Sequence, residues 1–159
     1  MMENLIETAD QLIDMAVKNV QNGGGPFSCL ILDASGKVIG SGCNRVVEHC
    51  DPTAHAEILA LRQACQETKS FRLPQGSLVF SSCEPCPMCR AALLWAGVST
   101  LLYIATRDDA DHVGFDDKMF HEAWDQWPHA MGVEVVHIHH PNADKPFRQW
   151  QDHPEKIPY

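Results

Sequence analysis

Three side chains with metal-ligating chemistry, His55, Cys86 and Cys89, stand on two segments separated by a long stretch of chain. Any fold this sequence adopts has to bring those segments to one point. One imidazole and two thiolates fill three corners of a tetrahedral zinc site and leave the fourth open, which is the arrangement of a catalytic rather than a structural centre. Glu57 lies two residues from His55 and is not needed to hold the metal, so its carboxylate is available to handle protons. Together the four residues point to hydrolysis.

The alternatives to an open zinc site fail on residue count. A closed structural site wants a fourth Cys or His at matched spacing, and Cys83 is the only nearby candidate. Cys83, Cys86 and Cys89 at spacing three could instead begin an iron–sulfur cluster, but no fourth cysteine follows and His55-x-Glu57 would be left without a purpose. Zinc lowers the pKa of a bound water from about 15.7 to roughly 7. Glu57 is then placed to take a proton from that water and pass it to a departing group.

A chain of 159 residues, 45% hydrophobic and 21% charged, fits a single domain over residues 1–159. The first residues include Glu3, Glu7 and Asp10, with neither a basic leader nor a long apolar run, so a cytoplasmic protein without a membrane span is expected. In a reducing compartment the seven cysteines read as metal chemistry rather than disulfides, with Cys29, Cys43, Cys50 and Cys65 as small buried hydrophobes. The net charge of −9 and the lack of a basic cluster count against a nucleic-acid partner. Acidic residues gather between Arg107 and Asp125, a run that alone reads as a solvated face.

Periodicity supplies the elements. Apolar residues from Leu5 to Val20 recur at helical spacing and stop at Gly23-Gly24-Gly25, a helix stop rather than a phosphate loop because no Lys-Ser/Thr follows. Phe27–Leu32 and Lys37–Cys43 form a hairpin across Asp33-Ala34-Ser35-Gly36. A helix is expected from about Pro52 to Glu67, with His55 near its first turn. Strand Leu78–Ser81, helix Pro87–Ala96 and strand Leu101–Ala105 make a parallel crossover that puts Cys86 and Cys89 at a helix amino end, where the dipole favours thiolate. A helix bearing Met119, Phe120, Ala123, Trp124 and Trp127 and a last strand, Val133–His139, complete the set, with the two tryptophans read as core. His137, His139 and His140 read as a solvated strand edge rather than a second metal site. The fold class is α/β, a mixed sheet of about five strands between helices.

From Gly24-Gly25-Pro26-Phe27 through Asp51-Pro52-Thr53-Ala54-His55-Ala56-Glu57 and Ser82-Cys83-Glu84-Pro85-Cys86-Pro87-Met88-Cys89, the sequence resembles the cytidine deaminase superfamily of zinc deaminases. Gly114-Phe115-Asp116-Asp117, Trp95 and a terminal Tyr159 look like the bacterial guanine deaminase branch. The resemblance implies a three-layer α/β/α sandwich, a homodimer with one Zn2+ per subunit, and conversion of the free base guanine to xanthine. It implies His55, Cys86 and Cys89 as metal ligands and Glu57 as proton shuttle. Phe27 and Asn44 would flank the base and Trp95 would line the pocket. Asp117 would be the second catalytic acid, with Asp116 as its adjacent competitor. The C-terminal segment, roughly 141–159 and ending at Tyr159, would close the site and could be exchanged between subunits. A small planar base suits these roles, since aromatic faces hold it and a carboxamide can bond its edge as donor and acceptor. Three alternatives stay open: a deaminase of another base or an aminotriazine, a tRNA adenosine deaminase lacking the expected basic patch, and a noncatalytic zinc-stabilised interaction module.

Overall fold

The computed structural model describes residues 2–98 and 100–122, and the architecture belongs to the unit Met1–His121. Helix α1 (Met2–Gln21) ends at Gly23, whose φ of 83° is a left-handed angle that a side chain would resist. Strands β1 (Ser28–Leu32) and β2 (Val38–Cys43) follow as an antiparallel hairpin. Its turn is held by Asp33, whose Oδ1 accepts from the amides of Ser35 and Lys37. After a short helix, α2 (Val46–His49), come α3 (Ala56–Thr68), β3 (Leu78–Cys83), α4 (Pro87–Trp95) and β4 (Thr100–Ala105). The described chain closes with α5 (Arg107–Asp111) and α6 (Lys118–Glu122).

The sheet order is β2-β1-β3-β4, with β1 antiparallel to both neighbours and β3 parallel to β4, so the expected mixed sheet is present with four strands among the described residues. The proposed fifth strand at Val133–His139, the histidine cluster beside it, and Trp124 and Trp127 lie outside the described residues. Alternation along β1 divides the two faces. Leu30 packs with Phe80 against Leu12 of α1, whereas Cys29 and Ile31 pack with Val79 against α3 and Leu93 of α4. This gives helix, sheet and helix layers.

Contact between α3 and the sheet is unusually close. Ala56, Ala60 and Ala64 recur at four-residue spacing and are fully buried, facing Gly40 and Gly42 of β2. A Cβ at Gly42 would stand 2.2 Å from the carbonyl oxygen of Ala56, and one at Gly40 would stand 2.3 Å from that of Ala60. The helix backbone therefore rests on the strand backbone, and this seat fixes the position of His55 and Glu57.

Two sequence expectations are corrected, the start of α3 and the burial of Cys50. The helix anticipated from Pro52 begins at Ala56, because Asp51 Oδ1 accepts from the Thr53 amide at 2.8 Å and from its hydroxyl at 2.7 Å, which closes a turn in place of a first helical turn. His55 is consequently the extended N-cap of α3, adjoining its first turn. Cys50 is exposed, not buried; it caps α2 at a φ of 50°. Of the apolar stripe on α1, Leu12 and Ala16 are buried while Leu5, Ile6, Ile13, Val17 and Val20 are exposed, because only one narrow line of the helix meets the sheet.

Candidate active site

Two helix amino ends converge to make the metal centre. His55 is the N-cap of α3, and Cys86 is the N-cap of α4, with Pro87 as the first helical residue and Cys89 two positions beyond it. Neither N-cap uses its side chain to cap its own helix, so both are free to point at a common centre. Nδ1 of His55 lies 3.6 Å from Sγ of Cys86 and 3.6 Å from Sγ of Cys89. Zinc bonds of about 2.3 Å to sulfur and about 2.0–2.1 Å to nitrogen, at tetrahedral angles, put nitrogen and sulfur about 3.6 Å apart. All three ligand atoms fall within 4.8 Å of one another, and no other donor joins this group among the described residues. The donor set and its spacing fit zinc with one position left open.

Electrostatics prepare the sulfurs for a cation. A hydrogen bond from the Cys89 thiol, followed by one from His55, lowers the pKa of Cys86 to about 4, so it is thiolate at neutral pH. Sharing that proton pushes Cys89 upward, and burial adds to the effect. The hydrogen bond to Cys86, with the thiolate's charge adding to it, raises His55 in turn. A metal held by His55, Cys86 and Cys89 would take the place of the shared proton. Cys83 takes no part: its thiol donates to the carbonyl of Thr106 at 3.5 Å, and burial pushes its pKa up to about 11.

Glu57 sits one helical position inside α3 and is 7% exposed. Burial raises its carboxyl above the usual range, with the backbone amide pulling the other way, and Ser81 Oγ donates to its Oε1 at 3.3 Å. A carboxyl raised above its usual range beside these ligands is better suited to taking up a proton than an ordinary exposed carboxylate.

The centre opens on a cavity of about 570 Å³, lined by His55, Glu57 and Cys86 and by residues of four other segments. Phe27 and Phe115 meet edge to face with centroids 5.0 Å apart, giving an aromatic corner. Asn44 is fixed through its backbone, donating from N to Phe27 O at 3.1 Å and accepting at its carbonyl from Asn19 Nδ2 at 2.9 Å. The same Nδ2 donates to Gly25 O at 2.8 Å, so the buried Asn19 ties two pocket walls together.

Asp116 and Asp117 both line the cavity, but they are used differently. Asp116 Oδ1 accepts from the Lys118 amide at 2.9 Å, whereas Asp117 Oδ2 is 3.0 Å from His121 Nε2. The charge of Asp117 is among the smaller influences that raise His55 and Cys83, after the hydrogen bond to Cys86 for the first and burial for the second. The structure does not bring Trp95 to this cavity; it lies exposed at the far end of α4. Tyr159 and the segment proposed to close the site lie outside the described residues. Sequence reasoning passed over Ser81, Asn19 and His121. For His121 a signal existed, the four-residue spacing from Asp117; for Ser81 and Asn19 none did, since both act through tertiary contacts.

A family model described as the cytidine and deoxycytidylate deaminase zinc-binding region matches residues 2–105. A guanine deaminase of Bacillus subtilis is 34% identical over 92% of this chain and 94% of its own length. Its crystal structure superimposes with a TM-score of 0.89 over 95% of this chain and 96% of that one. The guanine deaminase of Nitrosomonas europaea is 35% identical, with a TM-score of 0.64 over 68% of this chain and 62% of that one. A tRNA-specific adenosine deaminase of Haemophilus influenzae is 34% identical over 69% of this chain and 66% of its own length.

Proposed function

We propose, from the premise that the chain belongs to the zinc-binding cytidine and deoxycytidylate deaminase family, that it hydrolyses guanine and water to xanthine and ammonia. The observation that carries this reading is the buried Glu57 carboxylate beside the His55, Cys86 and Cys89 set, in a cavity that Asp117 also lines. When held by those three ligands, zinc supplies Lewis acidity and makes hydroxide available at neutral pH.

The chain's own groups do the rest. Glu57 accepts a proton at its carboxylate and delivers protons to the ring nitrogen and then to the exocyclic nitrogen, which leaves as ammonia while its carbon gains oxygen. Ser81 holds Oε1 from below and limits the carboxylate's rotation. Phe27 and Phe115 bound the plane of the base. Asn44 offers a carboxamide to its edge, and Asp117 offers a carboxylate to ring N–H donors. The whole chain, 1–159, acts as one deaminase domain in this reading, with residues from roughly 141 to Tyr159 closing the cavity. The same reading takes the protein as a cytoplasmic homodimer with one zinc per subunit and with exchange of the closing segments. No helix among the described residues is long and apolar enough to cross a membrane.

The likeness to a tRNA-specific adenosine deaminase supports a second reading, though over a smaller share of the chain and against a net charge of −9. Ammonia release separates the two. Zinc-loaded protein is offered guanine, adenine, cytosine, cytidine, adenosine, guanosine, ammeline and a tRNA anticodon stem-loop. Release chiefly from guanine is the expected result; release from the stem-loop or another ring moves the assignment there, and silence on all of them removes the enzyme.

A further inference from the structure

His121 belongs to none of the motifs that mark the site, yet it pairs with Asp117, one of the two aspartates that line the cavity together with His55, Glu57 and Cys86. Its Nε2 lies 3.0 Å from Asp117 Oδ2, with the side chains 14% and 24% exposed. The backbone around the pair is already committed. The Asp117 carbonyl accepts from the amides of Phe120 at 2.9 Å and His121 at 3.4 Å, so Asp117 is the cap of α6. A carboxylate in that position ordinarily folds back onto the free amides of the first turn. Here Asp116 Oδ1 takes the Lys118 amide, while Asp117 Oδ2 pairs with His121, four residues on in α6 itself. Asp117 remains among the groups lining the cavity.

We propose that His121 is a positioning residue for substrate recognition: by donating to Oδ2 it fixes the rotamer of Asp117 and presents the remaining oxygen as an acceptor for ring N–H donors. A carboxylate that is hydrogen-bonded and acceptor-only suits recognition of the N1–H and 2-amino edge of guanine rather than transport of a proton. The proposal rests on the guanine reading and assigns Asp117 its part in it. The pairing is a charge-assisted hydrogen bond, and losing its orienting effect is expected to weaken substrate binding about tenfold or more.

Steady-state kinetics on guanine test this with zinc-loaded wild type, His121→Phe, His121→Gln, Asp117→Asn and the His121→Phe/Asp117→Asn double variant, alongside zinc content and melting temperature. His121→Phe is expected to raise KM about tenfold with little change in kcat, zinc content or melting temperature, and His121→Gln, which retains a donor, to recover most of the loss. In the Asp117→Asn background the His121→Phe change is expected to have no further effect. A drop in kcat at constant KM places Asp117 in proton transfer and overturns the proposal. So do effects that simply add in the double variant, or a His121→Phe protein that loses zinc or melts early. Wild type that is inert toward guanine removes the functional reading and this proposal together; active wild type with an indifferent His121→Phe removes this proposal alone.

Discussion

His55 and Cys86 are N-caps of two different helices, and their ligand atoms stand 3.6 Å apart. Neither helix is long, with thirteen residues in α3 and nine in α4, so each owes its position to packing rather than to its own stability. The centre therefore depends on α3 lying against β2 and on the β3-α4-β4 crossover at the same time.

Glu57→Gln keeps the size and a hydrogen-bond partner for Ser81 but cannot carry a proton. Zinc content and melting temperature should match wild type, while turnover falls by roughly a hundredfold or more. Ammonia release at saturating substrate reads the effect, and normal turnover would sink the proton-shuttle role.

Metal binding should release protons. Cys86, held down to about 4, is already ionised at pH 7, but Cys89 is raised and must lose its proton to become a ligand, and His55 is raised as well. Zinc affinity is thus expected to fall as pH drops, with at least about one proton released per ion near neutrality. Titration calorimetry of chelator-stripped protein in buffers of different ionisation enthalpy counts these protons; a count of zero contradicts the shared proton.

Gly42→Ala forces α3 away from β2, because the new methyl would lie 2.2 Å from Ala56 O. The expected cost is about 1–3 kcal/mol, the usual range for overpacking, and zinc binding should weaken because His55 moves with the helix. Val38→Ala, an exposed change on the same strand, is the control. Thermal melts of both variants with and without zinc decide it, and a Gly42→Ala melt equal to the control would mean the close contact is not there.

Deleting Tyr159 addresses the closing segment. Zinc content should stay at one per chain while activity on guanine falls; unchanged kcat and KM would show that the terminal residue does not close the cavity.

The ligand set was legible because it needs only residue types at short local spacing: His55-x-Glu57 and Cys86-x-x-Cys89 carry their chemistry wherever the segments go. The hairpin and the crossover were legible for a similar reason, since Asp33–Gly36 and the apolar runs of β3 and β4 act locally. What failed was competition between local options. Asp51-Pro52 reads equally well as a helix start and as a turn, and the Thr53 amide and hydroxyl decided for the turn. Asn19 and Ser81 could not be found at all, because each works through a partner far along the chain: Gly25 and Asn44 for one, Glu57 for the other. Trp95, placed in the pocket by resemblance, lies at the opposite end of α4 from Cys86.

The bare seam between β2 and α3 has a consequence for how this protein can change. Gly40, Gly42, Ala56, Ala60 and Ala64 leave no spare volume between them, so enlarging any one demands that another shrink or that the two backbones part. With glycine and alanine already in place, almost nothing remains to shrink. Drift along this seam is confined to its present residues, and variation that retunes substrate choice has its room where Phe115 and Asp117, just before α6, and Phe120, within α6, line the cavity, since α6 buries none of its residues.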